Sequence, residues 1–116
     1  MSRVFVTRML PGRALDRLRE HGHEVEVWPN MLPPLPDQLR DRAASVSGLL
    51  TTLSDRVDTT LLEAAPSLRV VANYAVGFDN IDIAACERRG VTVTNTPDVL
   101  TDATADLTFA LLLAAA

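Results

Sequence analysis

Val70-Val71-Ala72-Asn73-Tyr74-Ala75-Val76-Gly77-Phe78-Asp79-Asn80-Ile81-Asp82 passes from an apolar segment through a glycine turn into what reads as the start of a helix. Residues 68–72 are a short apolar run of the kind shown by a strand buried on both faces, and residues 81–89 read as a helix, with Asp79 or Asn80 the expected cap. Gly77 lacks a Cβ, so its backbone can take φ > 0 and a ligand can come close to its N–H. Unpaired amides at a helix N-terminus favour an anion, because the N–H groups and the helix dipole both point at it. A plain strand-to-helix turn explains the same residues, so the stretch alone leaves both readings open.

Working outward, strand and helix patterns alternate. Val4-Phe5-Val6 is a short apolar strand, and Pro11-Gly12 opens a helix that carries Leu15 and Leu18 on one face and closes at Gly22. Glu24-Val25-Glu26-Val27-Trp28 alternates polar and apolar, as an edge strand with one solvated face does. Residues 29–36 hold four prolines and read as a loop, followed by a helix over 37–44. A third strand at 48–50, a helix over 58–65 ended by Pro66, a fourth strand at 68–73, the helix at 81–89 ended by Gly90 and a fifth strand at 91–94 complete the series. This order predicts an α/β fold, a flavodoxin-like parallel sheet with helices on both faces. Ligands in such sheets sit beyond the carboxyl ends of the strands, which here are the loops after Val6, Leu50, Asn73 and Thr94. The glycine turn lies on that edge, which favours the ligand reading.

The tail differs. Thr101 or Asp102 is placed to cap a helix with an apolar stripe of Ala103, Leu107, Ala110 and Leu111, and from Phe109 every residue is apolar. Residues 107–116 are too few to span a bilayer, and no Gly, Asn or basic residue closes the helix. The expectation is a helix cut before its end, its apolar surface packing on something outside these residues.

The 116 residues carry a net charge of −4 and an ordinary apolar fraction of 47%, which excludes a nucleic-acid or anionic-membrane surface as the leading reading. The single cysteine, Cys86, rules out an internal disulfide framework, fits a reducing, cytoplasmic compartment, and reads as a small packing residue. His21 and His23 flank Gly22 without carboxylates or cysteines at ligand spacing, so no metal site is expected. No P-loop, zinc spacing, Gly-x-Ser-x-Gly or dinucleotide fingerprint occurs. Thr51-Thr52-Leu53-Ser54-Asp55 follows the third strand on the ligand edge; its hydroxyls suit a polar substrate, and Ser54 and Asp55 suit a turn equally well. A phosphorylated receiver, the other familiar use of such a fold, needs an acidic pair after the first strand, an aspartate after the third and a lysine after the fifth. Here Thr7-Arg8 and Thr51-Thr52 stand in the first two places, and all eleven basic residues are Arg.

Read together and in order, Gly77-Phe78-Asp79-Asn80-Ile81-Asp82, Arg89-Gly90-Val91-Thr92-Val93-Thr94-Asn95-Thr96-Pro97 and Ala103-Thr104-Ala105-Asp106 give a sequence that resembles the D-isomer-specific 2-hydroxyacid dehydrogenases. The wording of residues 101–106 is most similar to the glyoxylate/hydroxypyruvate reductase branch. The resemblance implies a two-lobed enzyme with a flavodoxin-like substrate lobe and an inserted Rossmann lobe, the active site lying between them. Residues 1–98 would be the first part of the substrate lobe, and residues 99–116 the start of the helix crossing to the Rossmann lobe. It implies hydride transfer between NAD or NADP and the C2 carbon of a 2-oxo or 2-hydroxy acid, in a homodimer. Val76 and Gly77 would offer amides to the substrate carboxylate, Leu53 and Ser54 would touch the substrate, Tyr74 and Ala75 would line the pocket, and Thr104 would face the nicotinamide. The family's catalytic histidine, glutamate and arginine have no match here, so these residues alone are expected to be catalytically silent. Phe78 stands where the family commonly has Tyr, which puts any hydrogen bond from that place in doubt. The alternative from another class is a non-catalytic binding or interaction module that keeps only the substrate lobe.

Overall fold

The structure is a computed structural model and describes residues 2–10 and 13–95. Nine elements follow one another among them: β1 (Arg3–Val6), α1 (Ala14–Glu20), β2 (Glu24–Val27), α2 (Pro36–Ala43), β3 (Gly48–Thr51), α3 (Thr59–Ala64), β4 (Val70–Asn73), α4 (Ile83–Arg88) and β5 (Thr92–Asn95). All four strand pairings are parallel and the order is β2-β1-β3-β4-β5, the flavodoxin-like arrangement. β2 lies at an edge, which is why its glutamates can alternate outward while Val25 and Val27 are half-buried.

Successive strand residues point to opposite faces, and this splits the core in two. Val4, Val6, Leu50, Val70 and Ala72 pack with Ala14, Leu15 and Leu18 of α1 on one face. Phe5, Leu49 and Val71 pack with Leu39 and Ala43 of α2, Leu61 and Leu62 of α3, and Ala85 and Cys86 of α4 on the other. Every residue of β3 and β4 is buried, as an apolar run covered from both sides requires.

Helix ends follow local chemistry, with one correction. Asp58 caps α3 by accepting from Leu61 N at 3.0 Å. Gly22 and Gly90 close α1 and α4 with φ of 86° and 72°, a region an L side chain seldom enters. The helix expected from residue 81 begins at Ile83, and its cap is Asp82, whose carboxylate accepts from Ala85 N at 3.0 Å. Ile81 is drawn out of the helix because its segment pairs with Val57: Val57 N donates to Asn80 O at 2.9 Å, and Asp82 N to Val57 O at 2.8 Å. Asn80 is unavailable as a cap because its side chain is used elsewhere. The tail helix expected after Pro97, with its stripe from Ala103 to Leu111, and Pro11-Gly12 lie outside the described residues. None of the helices among the described residues is long and apolar enough to cross a membrane.

Candidate functional site

Parallel strands deliver their following loops to one edge, and three of these loops enclose a cavity of about 550 Å³. Arg8, Met9 and Leu10 come from the loop after β1, Thr52, Leu53 and Ser54 from that after β3, and Tyr74, Ala75, Val76 and Gly77 from that after β4. The six residues expected from the sequence, Leu53, Ser54, Tyr74, Ala75, Val76 and Gly77, are thus brought to one cavity. Thr104 lies outside the described residues. Leu53 and Val76 are exposed at its mouth, whereas Ala75 is buried and Tyr74 half-buried against the α1 face of the core.

The loops are fastened to one another by polar side chains. Asp55 is buried, and one carboxylate oxygen accepts from the Thr7 hydroxyl and from Thr52 N at 2.9 Å, tying the end of β1 to the loop after β3. Asp55 is therefore turn chemistry rather than a substrate contact, and Ser54 is the exposed member of the pair. Asn73, fully buried at the end of β4, accepts from the Thr51 hydroxyl at 2.8 Å and donates to Gly77 O at 3.0 Å and Asn80 Oδ1 at 3.1 Å. Asn80 answers with its own amide, which donates to Asp55 O at 2.8 Å, Thr52 O at 3.1 Å and Asn73 Oδ1 at 3.1 Å. Asn95, the strand partner of Asn73, donates to Val76 O at 2.7 Å.

This clamp changes the expected origin of the anion site. Gly77 is not among the glycines with positive φ, and a Cβ built on it would meet nothing within 4 Å, so neither strain nor crowding demands glycine there. The α4 N-terminus is not the source either, since the helix starts six residues after Gly77 and Asp82 occupies its end. What the turn does offer is two backbone donors: among the described residues no acceptor takes the N–H of Val76 or Gly77. Among the described residues Arg8 is the only charged one lining the cavity, and no described carboxylate pairs with it. One cation, two free amides and the hydroxyls of Thr52, Ser54 and Tyr74 make a small cavity suited to a polar anion.

Phe78 does not line this cavity. It borders a separate hollow of about 300 Å³ with Ile83, Val91 and Val93, so a hydroxyl missing from its ring is missing away from the candidate site. The histidines are remote as well: they precede β2, at the opposite edge of the sheet, where His21 Nδ1 lies 2.8 Å from Arg17 O. Burial first, then the neighbouring His21 and N-terminal charges, hold His23 below the ordinary histidine range. Cys86 is buried, and burial followed by the Asp82 charge raises its thiol, so it packs rather than reacts.

Residues 4–113 match the D-isomer specific 2-hydroxyacid dehydrogenase catalytic domain. The chain belongs to that family. Among its relatives are the glyoxylate reductases of Thermococcus kodakarensis, 53% identical over 114 residues that cover 98% of this chain and 34% of the relative, and of Aeropyrum pernix, 52% identical with the same coverage. The chain spans about a third of the length of these dehydrogenases, 34%. A crystal structure of a protein from Thermus thermophilus aligns with a TM-score of 0.80 at 53% identity, covering 97% of this chain and 36% of that one. The NADPH-dependent glyoxylate/hydroxypyruvate reductase of Sinorhizobium meliloti, solved with citrate, aligns at 0.64 with 34% identity, covering 97% and 34%.

Asn73, Asn80, Asn95 and Arg8 have no place among the site residues expected from the sequence. A signal was present for two of them: Asn73 ends the apolar strand β4, and Arg8 follows β1 on the ligand edge; Asn95 ends a strand already rich in threonine, and Asn80 read as a cap.

Proposed function

We propose that the chain is the substrate-binding part of an enzyme that interconverts 2-oxo and 2-hydroxy acids by hydride transfer, with glyoxylate and hydroxypyruvate as its substrates. The observation that carries this is the pair of amides at Val76 and Gly77 that find no acceptor among the described residues, in a cavity whose only described charge is Arg8. Both amides can donate to a carboxylate, and Arg8 supplies an attractive field. Leu53 and Ala75 narrow the cavity around the carbon end of a small acid, and Ser54 offers a hydroxyl. Holding the carboxylate fixes the C2 carbon, which is the positional part of catalysis this chain can supply.

When bound, a nicotinamide cofactor, NAD or NADP, would supply the hydride in its reduced form for reduction of the oxo acid and take it up in its oxidised form in the reverse direction. With no dinucleotide fingerprint in the sequence, most of its binding falls to another lobe, Thr104 being the one residue here assigned to face it. In this reading residues 1–98 are the first part of the substrate lobe, residues 99–116 begin the connecting helix, and the enzyme is a cytoplasmic homodimer. The test is to express the protein from its own gene and follow nicotinamide oxidation with glyoxylate and with hydroxypyruvate, using NADH and NADPH in turn. Turnover of either acid is the expected result. Failure of all four combinations in folded protein refutes the proposal.

A further inference from the structure

Resting on the reading of Val76 and Gly77 as carboxylate donors, we infer that Asn95 is a positioning residue that sets the direction of the Gly77 amide by holding the carbonyl on the other side of the same peptide. In a trans peptide the C=O of one residue and the N–H of the next point in opposite directions. No peptide among the described residues is cis, so the Val76 carbonyl and the Gly77 N–H are opposed in this way. The Val76 carbonyl accepts from Asn95 Nδ2 at 2.7 Å. Asn95 closes β5, which lies beyond β4 on the side away from β3 and β1. The cavity is lined by the loops after β1, β3 and β4. A carbonyl turned toward β5 therefore turns the Gly77 N–H toward β3 and β1, the side on which the cavity lies.

The next peptide is held in the same manner. Gly77 O accepts from Asn73 Nδ2 at 3.0 Å, and Asn73 is the register partner of Asn95 across the β4–β5 pair. Two neighbouring asparagines thus grip two successive carbonyls, and the intervening N–H cannot rotate without breaking one of those bonds. The two anchors differ in kind. Asn73 is fully buried and also bonded to Asn80 and Thr51, so changing it disturbs the fold. Asn95 is only half-buried, and among the described residues its side chain makes one bond, which makes it the residue on which orientation can be separated from stability. Because the amide meets the carboxylate equally in the ground and transition states, losing its orientation weakens binding and leaves the chemical step alone.

The experiment uses protein expressed from its own gene and isotope-labelled at glycine, with oxalate as the non-reducible probe. Gly77 is one of five glycines in this chain, and its amide resonance is assigned by its loss in Gly77→Ala. In the wild type the Gly77 resonance moves as oxalate is added. In Asn95→Ser, too short to reach the carbonyl, and Asn95→Asp, which keeps the shape and loses the donor, oxalate affinity falls on the order of ten- to hundredfold. KM for glyoxylate rises by the same factor while kcat stays within about twofold. Resonances of Gly22 and Gly90, in turns away from the site, stay in place and report that the fold is kept. Wild-type affinity in Asn95→Ser overturns the inference, even if Asn95→Asp binds weakly, since the added charge then explains the loss. A wild-type Gly77 resonance that ignores oxalate removes the carboxylate reading itself, so the two failures are told apart.

Discussion

Replacing Asn80 by Ala should unfasten the site and cost stability out of proportion to the exposure of the residue. Its amide group has two hydrogens and faces three acceptors, Asp55 O at 2.8 Å, Thr52 O at 3.1 Å and Asn73 Oδ1 at 3.1 Å, so it makes two full bonds' worth of donation. Its carbonyl accepts a third bond from Asn73 Nδ2 at 3.1 Å. At about 1 kcal/mol net for each bond, the loss is ~3 kcal/mol. Asn73 is wholly buried and is left with one N–H unanswered, which holds the figure up, while water reaching the half-buried Asn80 position lowers it. A change of ~3 kcal/mol is a large part of a domain's usual stability of about 5–15 kcal/mol. Urea denaturation at neutral pH measures it, the midpoint falling at unchanged slope. Asn80→Asp refines the test. It keeps the accepting oxygen, loses both donated bonds and sets a carboxylate against two carbonyl oxygens, so its folded-state pKa lies above the ordinary value of about 3.9. A raised carboxylate pKa means that the deficit is smallest at acid pH, where the protonated acid can donate, and grows as pH rises through the carboxylate range. A loss below about 1 kcal/mol in Asn80→Ala would refute the claim that this side chain holds the loops together.

The other perturbations separate the site from the scaffold. Gly77→Val meets nothing within 4 Å at its Cβ, so melting should change little while KM for the oxo acid rises sharply; an unchanged KM would count against the amides as donors. Arg8→Gln should raise KM for glyoxylate several-fold and flatten its salt dependence, because the cavity loses the one charge on its described lining; steady-state assays across ionic strength decide this. His23 is held below the ordinary value of 6.5, so the unfolded chain binds more protons and stability is lost as pH falls through that value. Thermal melts of wild type and His23→Gln across that window should converge at higher pH and separate below it.

The fold was legible because buried parallel strands write themselves as apolar runs. Leu49-Leu50 and Val70-Val71-Ala72 must face covered surfaces on both sides, and the glycines at 22 and 90 mark where helices stop. The cavity was legible for a related reason: once strand order is known, the loops after β3 and β4 can only meet at one edge. The source of its donors was not. Sequence spacing puts the cap at Asp79 or Asn80, and only the pairing of Val57 with Ile81 decides that the cap is Asp82 and that the helix waits until Ile83. The same holds for the asparagines, whose partners are backbone carbonyls up to 28 positions away in sequence, as with Asn80 and Thr52. Backbone acceptors look alike in every sequence, so a bond to one of them leaves no trace in residue type. Phe78 shows the reverse case, a residue next to the site in sequence that turns to a different hollow.

The asparagine clamp also bears on how the cavity can respond to what enters it. Loops that pin one another have little freedom left to surrender when a ligand arrives, so their share of the ordering entropy is already spent in folding. This wall should therefore act as a rigid template, rejecting a ligand that does not match its shape rather than accommodating it. If a ligand were enclosed here, the closing motion would have to come as a displacement of whole bodies past this wall rather than as a rearrangement of its loops.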